Sequence, residues 1–212
     1  MKRHVILCLA VILLWAASGV AQPRSQQTNS TPSSAATVTD IRKVDFLNFT
    51  YHSSLCSQEY GKDGIGKMVL LRNGEFKNDN VYFAVAGDAI VYADVTGDGR
   101  EDAIVPITCG AMTANFALSE VYIYTIQNGR ATSLAEISDK DLERDYRRSY
   151  PDAESYWGVN ENGLKVKDGN LEIDILADGP HASPQYIVTL GYRLSGKALR
   201  LIGKPQRRSF SQ

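Results

Sequence analysis

The chain has 212 residues, 43% of them hydrophobic and 22% charged, with seven prolines and a net charge of −1. Such a composition excludes a disordered chain, a collagen and a multi-span membrane protein, and the length suits one domain or two small ones. With no basic excess to meet phosphates, nucleic acid is not an expected partner.

In chain order, Lys2 and Arg3 make a positive start, and 13 apolar or small residues, 5–17, follow without interruption. That run is too short to cross about 30 Å of hydrocarbon but suits the core of a secretory signal. Gly19-Val20-Ala21 puts small residues at the −3 and −1 positions. The expectation is a signal peptide over 1–21, cleaved after Ala21, and a periplasmic or secreted protein; an uncleaved anchor would look similar. Cys8 lies inside the apolar run and does not close it, so lipidation of a cysteine is not indicated. Cleavage leaves 21 basic against 24 acidic residues, a charge of about −3, which argues against polyanions and against a membrane partner once the signal is gone. It also leaves Cys56 and Cys109 as the cysteines of an oxidising compartment, where a disulfide is the simplest expectation.

Residues 22–40 hold eight Ser or Thr and three Gln among nineteen, with Val38 the one strongly apolar side chain. A segment so poor in apolar surface cannot offset its ordering entropy and reads as a disordered linker. Asn29-Ser30-Thr31 and Asn48-Phe49-Thr50 match the glycosylation acceptor pattern, a chance match if the source is bacterial.

From 41 to 204 a single β-rich domain is expected, because the dominant apolar period is two. Leu171, Ile173 and Ile175 alternate with polar residues, as do Tyr186, Val188, Leu190, Tyr192 and Leu194. Tyr122, Tyr124 and Ile126 stand opposite Val121 and Ile123. Asn73-Gly74, Asn128-Gly129, Asp168-Gly169 and Ser195-Gly196 supply hairpin turns. The fold class is therefore mainly β, α+β at most: an antiparallel meander curled or folded into two layers. Residues 89–95 and 103–107 are apolar on both faces and predict central strands, with a bulge or strand end at Pro106. One short helix is expected near 139–150, opened by Ser138 with Asp141, striped by Leu142, Tyr146 and Tyr150, and stopped by Pro151. Residues 205–212 read as a flexible tail.

One motif carries chemistry. Asp94-Val95-Thr96-Gly97-Asp98-Gly99-Arg100-Glu101-Asp102 offers oxygens at positions 1, 3, 5 and 9 from Asp94, Thr96, Asp98 and Asp102. Arg100 adds a carbonyl at position 7 and Gly99 the turn at 6, the set a hard cation asks of a short loop. Carboxylates converging without a cation would repel one another. At these residues the sequence resembles the calcium loops of FG-GAP and VCBS repeats, in which a strand enters D-x-[DN]-G-D-G-x-x-D and another leaves. The flanks, Tyr92-Ala93 and Ala103-Ile104-Val105, look like that family too. The likeness covers about fifteen residues and occurs once, so it implies the loop and its hairpin and not a propeller. More loosely, the chain is similar to exported bacterial proteins that carry one such loop in a small β domain. Thr96 replaces an Asn or Asp, and Val105 stands where an EF-hand has its closing acid, so any calcium affinity falls near 10⁻⁴ to 10⁻³ M, about that of extracellular modules. The alternative is a bulged hairpin whose aspartates cap backbone amides.

Other candidates are thinner. Cys109 with His181 could form a nucleophile pair, but the disulfide explains Cys109 better. Ser183 beside His181 has no hydrolase spacing, and no cluster supports zinc. Tyr146, Tyr150, Tyr156 and Trp157 crowd a stretch with Asp152 and Glu154, a composition able to stack on sugars and equally able to pack a helix onto a sheet. The reading is a non-enzymatic exported β-domain protein with a structural calcium site in the 94–102 loop. The alternative is a module binding cell-wall glycan or a protein partner through Tyr150, Tyr156 and Trp157; a hydrolase is remote.

Overall fold

The computed structural model describes residues 38–210 apart from Ala86 and Ala182. The expected signal peptide, its cleavage point and nearly all of the linker lie outside the described residues. Val38 already donates its amide to the Gly129 carbonyl at 3.0 Å, and the Asp40 carboxylate caps a 3₁₀ turn at Ile41–Lys43.

The fold is mainly antiparallel β. Strands β1 (Thr50–His52) and β2 (Met68–Leu70) form a small sheet, with helix α1 (Leu55–Tyr60) between them in sequence. A six-stranded sheet follows from β3 (Glu75–Lys77), β4 (Val81–Ala84), β5 (Val91–Ala93), β6 (Asp102–Ala111), β7 (Leu118–Gln127) and β8 (Arg130–Ser138). Its order is β3-β4-β6-β7-β8, with β5 also on β6. Helix α2 (Asp139–Ser149) leads to a four-stranded sheet of β9 (Tyr156–Lys167), β10 (Asn170–Ala177), β11 (Tyr186–Ser195) and β12 (Ala198–Ser209), ordered β12-β11-β10-β9. The chemistry of the turns is as the sequence predicts: Asn73, Asn128 and Asp168 adopt positive φ, each followed by a positive-φ glycine, which closes two-residue hairpins matched to strand twist.

Strands β6 and β7 explain the layering. Ala103, Val105, Ile107 and Cys109, with Tyr122 and Tyr124, face a core shared with Phe46, Tyr51 and Val69 from the N-terminal segment and with Phe83 of β4. Ile104, Val121 and Ile123 face the opposite core, built with Leu142 and Tyr146 of α2 and Leu171, Ile173, Val188 and Tyr192 of the four-stranded sheet. A sheet covered on both sides must be apolar on both sides, which is what the residues at 103–107 announce. Cys56 of α1 and Cys109 of β6 form the expected disulfide, with Cα atoms 6.1 Å apart. Across a sequence separation of 53 it stabilises the fold by about 4 kcal/mol in the chain-entropy description.

Several expectations are corrected. Residues 89–95 yield only the three-residue β5, which pairs with β6 at Val91–Ile104, Tyr92–Ala103 and Ala93–Asp102, so this is not a central strand. Pro106 neither bulges nor ends β6. It pairs with Val121 in an unshifted register, where β6 has β7 on one side and a gap between β4 and β5 on the other. The proline's missing N–H is harmless beside such a gap. The expected tail is strand through Ser209, with Pro205 buried and Arg207 reaching into the second core region. Helix α1 was not expected, since six residues are too few to print a helical period.

Candidate functional site

The 94–102 loop joins β5 to β6, and its aspartates fold back on its own backbone. Asp94 accepts hydrogen bonds from the amides of Gly97 (2.6 Å) and Gly99 (2.8 Å) and from the Thr96 hydroxyl (3.2 Å). The Gly99 amide foremost, with Gly97 and Thr96, holds the Asp94 carboxyl below the usual carboxylate range. Asp98 accepts from the Arg100 amide and guanidinium, the latter at 2.6 Å, and Arg100 likewise lowers its pKa. Asp102 is fully buried; its Oδ2 accepts from the amides of Val95 (3.0 Å) and Thr96 (3.1 Å), whereas its Oδ1 has no partner. Among the described residues no three His, Cys, Asp or Glu side chains form a metal-holding group. Asp94 and Asp102 therefore tie the same turn from its two ends, and Asp98 turns toward Arg100.

The sulfur of Cys109 is bonded to Cys56, so the Cys109–His181 nucleophile pair does not exist. His181 packs edge-on against Trp157, with ring centres 5.1 Å apart.

The aromatic stretch is divided by α2 and β9. Tyr146 is fully buried, and Tyr150 stacks near it at 5.8 Å with its hydroxyl on the Pro205 carbonyl (2.6 Å). Tyr150 thus belongs to the packing under Arg207 and not to an open surface. Tyr156 and Trp157, at the start of β9, do line a groove of about 620 Å³. Tyr60 from the end of α1, Phe116 from the β6–β7 loop and His181 supply its other rings. Phe116 is 56% exposed, an unusual state for so large an apolar side chain. Trp157 is held by an indole N–H donated to the Gly179 carbonyl at 3.0 Å.

No family model, curated protein or solved structure matches this chain. Its function must be read from the groove and the loop themselves.

Carboxylates rim the groove. Asp139, the first residue of α2, accepts from the Ser119 amide at 2.6 Å and from the Tyr156 hydroxyl. Burial pushes its carboxyl up to about 6, while the bonds from Tyr156 and Ser119 pull the other way. Glu59 is paired with Lys140 (2.6 Å) and Glu143 with Arg147 (2.8 Å). Sequence reasoning located Ser138 and Asp141 as the helix start, and Asp141 does accept from the Ser138 amide and hydroxyl. It missed Asp139, because nothing local tells which of Asp139 and Asp141 is buried by a strand that starts 17 residues after Asp139.

Proposed function

We propose that this chain is an extracytoplasmic, non-catalytic binding module that takes a cell-wall glycan in the groove of Tyr156 and Trp157. The observation that carries the reading is the grouping of four rings, Tyr60, Phe116, Tyr156 and Trp157, with the carboxylates of Glu59, Asp139 and Glu143 around one concavity. Sugar rings present apolar faces for stacking and hydroxyls for carboxylate acceptors, so rings bordered by acids suit them. The Ser119 and Tyr156 bonds hold Asp139 in place, ion pairs hold Glu59 and Glu143, and each carboxylate keeps lone pairs for a sugar hydroxyl. The test is a pulldown on purified peptidoglycan with the exported protein. Wild type is retained and Trp157→Ala is lost while melting at an unchanged temperature; equal retention of both rejects the groove. The mass of that exported protein, expected to begin at Gln22, checks the export reading.

A second reading has its own support. The unpartnered Oδ1 of buried Asp102 is an oxygen that a cation at the loop would satisfy, with Asp94, Thr96, Asp98 and the Arg100 carbonyl as the other ligands. Calcium would neutralise the acids and fix the β5–β6 turn, a structural part only. A melting temperature that rises in millimolar calcium, and no rise in Asp98→Ala, supports this; identical melting in calcium and chelator rejects it.

A further inference from the structure

We propose that the outer face of the four-stranded sheet binds a linear polysaccharide carrying phosphate or sulfate groups, along the row Lys167, Asn170, Arg193 and Arg200. Register creates this row. Lys167 of β9 pairs with Asn170 of β10, and Arg193 of β11 pairs with Arg200 of β12. The Arg193 Nε closes the row by donating to Asn170 Oδ1 at 3.1 Å. One step inward, Leu171 pairs with Tyr192, and both face the second core, so the row itself points away from that core. Three cations from three strands thus stand in a line about 14 Å long, three interstrand spacings.

Among the described residues no salt bridge uses Lys167, Arg193 or Arg200, and all three are exposed. Of the acids on this face, Asp174 takes Arg208 at 2.8 Å and Lys165 at 3.7 Å, while Glu172 stands in the adjoining row, across from Lys165 and Gly191, and forms no salt bridge with the three cations. Like charges directly opposite on neighbouring strands destabilise a sheet, and Arg193 and Arg200 are such a pair. An oxyanion held between the two guanidinium forks removes that repulsion, and the planar fork matches phosphate and sulfate geometry. The Asn170 bond fixes Arg193 through Nε, and among the described residues no other hydrogen bond uses its guanidinium.

The form of the face favours a glycan over other polyanions. Large exposed apolar side chains are Leu47, Met68, Leu70, Met112 and Phe116, none of them on this sheet, so a bilayer would gain no anchor here. No aromatic ring stands in the row to stack a nucleobase. An extended sugar chain needs neither; its ionic groups repeat at a spacing comparable to that between strands.

Affinity for heparin, used as the sulfated probe, tests the site in the exported protein at about 50 and 200 mM salt. Wild type is expected to bind, more weakly at the higher salt. Arg193→Gln with Arg200→Gln weakens binding about tenfold or more, and melts no lower than wild type because the repulsion is gone. Arg208→Gln, whose guanidinium is held by Asp174, and Trp157→Ala in the groove leave heparin affinity within about twofold, which separates this site from the groove. The proposal is overturned if wild type ignores heparin at the lower salt or if the double variant binds equally. Preference for phosphatidylglycerol vesicles or for a single-stranded oligonucleotide overturns it as well.

Discussion

The guanidinium carbon of Arg207 lies 4.2 Å from the ring centre of Tyr150. Tyr186 borders the same cation at 4.9 Å, and Asp178, nearly buried, meets it at 3.4 Å. The last strand thereby clamps the C-terminal end of α2 to the four-stranded sheet with one side chain. Replacement by Ala removes the cation–π contacts and leaves the Asp178 carboxylate without its cation, a loss of about 3 kcal/mol. Lys keeps the charge but not the flat stacking surface, so Arg207→Lys should recover less than half. Urea unfolding of both variants measures this, and a loss below about 1 kcal/mol for the Ala variant contradicts the clamp.

Glu120, 1% exposed, plays a comparable part in the first core. Its Oε1 accepts from the amides of Ser54, Leu55 and Cys56 at the start of α1, and its Oε2 from the Tyr122 hydroxyl at 2.8 Å. Glu120→Ala strands buried N–H groups and should cost about 3 kcal/mol. Hydrogen exchange gives a local readout: the Leu55 amide should exchange faster even under conditions where the β6 and β7 amides do not.

Asp139 makes stability depend on pH in an unusual direction. Its carboxyl is raised to about 6 in the folded chain against an ordinary 3.8, so the folded state holds the proton more tightly than the unfolded one. Its stabilising contribution is therefore complete below the unfolded value and is lost as pH rises through about 6, by up to about 3 kcal/mol. Asp139→Asn cannot titrate and should flatten the stability profile between about pH 4 and 7. An unchanged profile would show that some other group governs that interval.

Local signals carried much of the fold. Period-two alternation located β7, β10 and β11, Asn-Gly and Asp-Gly placed the turns, and Ser138 with Pro151 bounded α2 within a residue or two. Each of those signals is set by chain neighbours. What escaped depends on partners remote in sequence. The apolar run at 89–95 gave a short strand because a 3₁₀ turn at Gly87–Ala89 precedes it and the 94–102 loop follows it, so only Val91–Ala93 pairs with β6. Pro106 sits mid-strand because of the gap between β4 and β5 in the ladder. Tyr150 and Tyr156 look alike in sequence, yet Arg207 takes one into packing and Asp139 turns the other toward the groove. The cationic row was least legible, since it exists only once four strands are in register, and the overall charge of the chain hides it.

Because Ile104 and Val105 serve different cores, the central strand is policed from both sides. Sliding β6 by a single residue would hand each layer the other's side chains, move Cys109 off its partner's face and swing Asp102 out of its turn. Most half-solvated strands risk only one set of contacts in such an error. Here the same slip would disturb both layers, the disulfide and the Asp102 turn together.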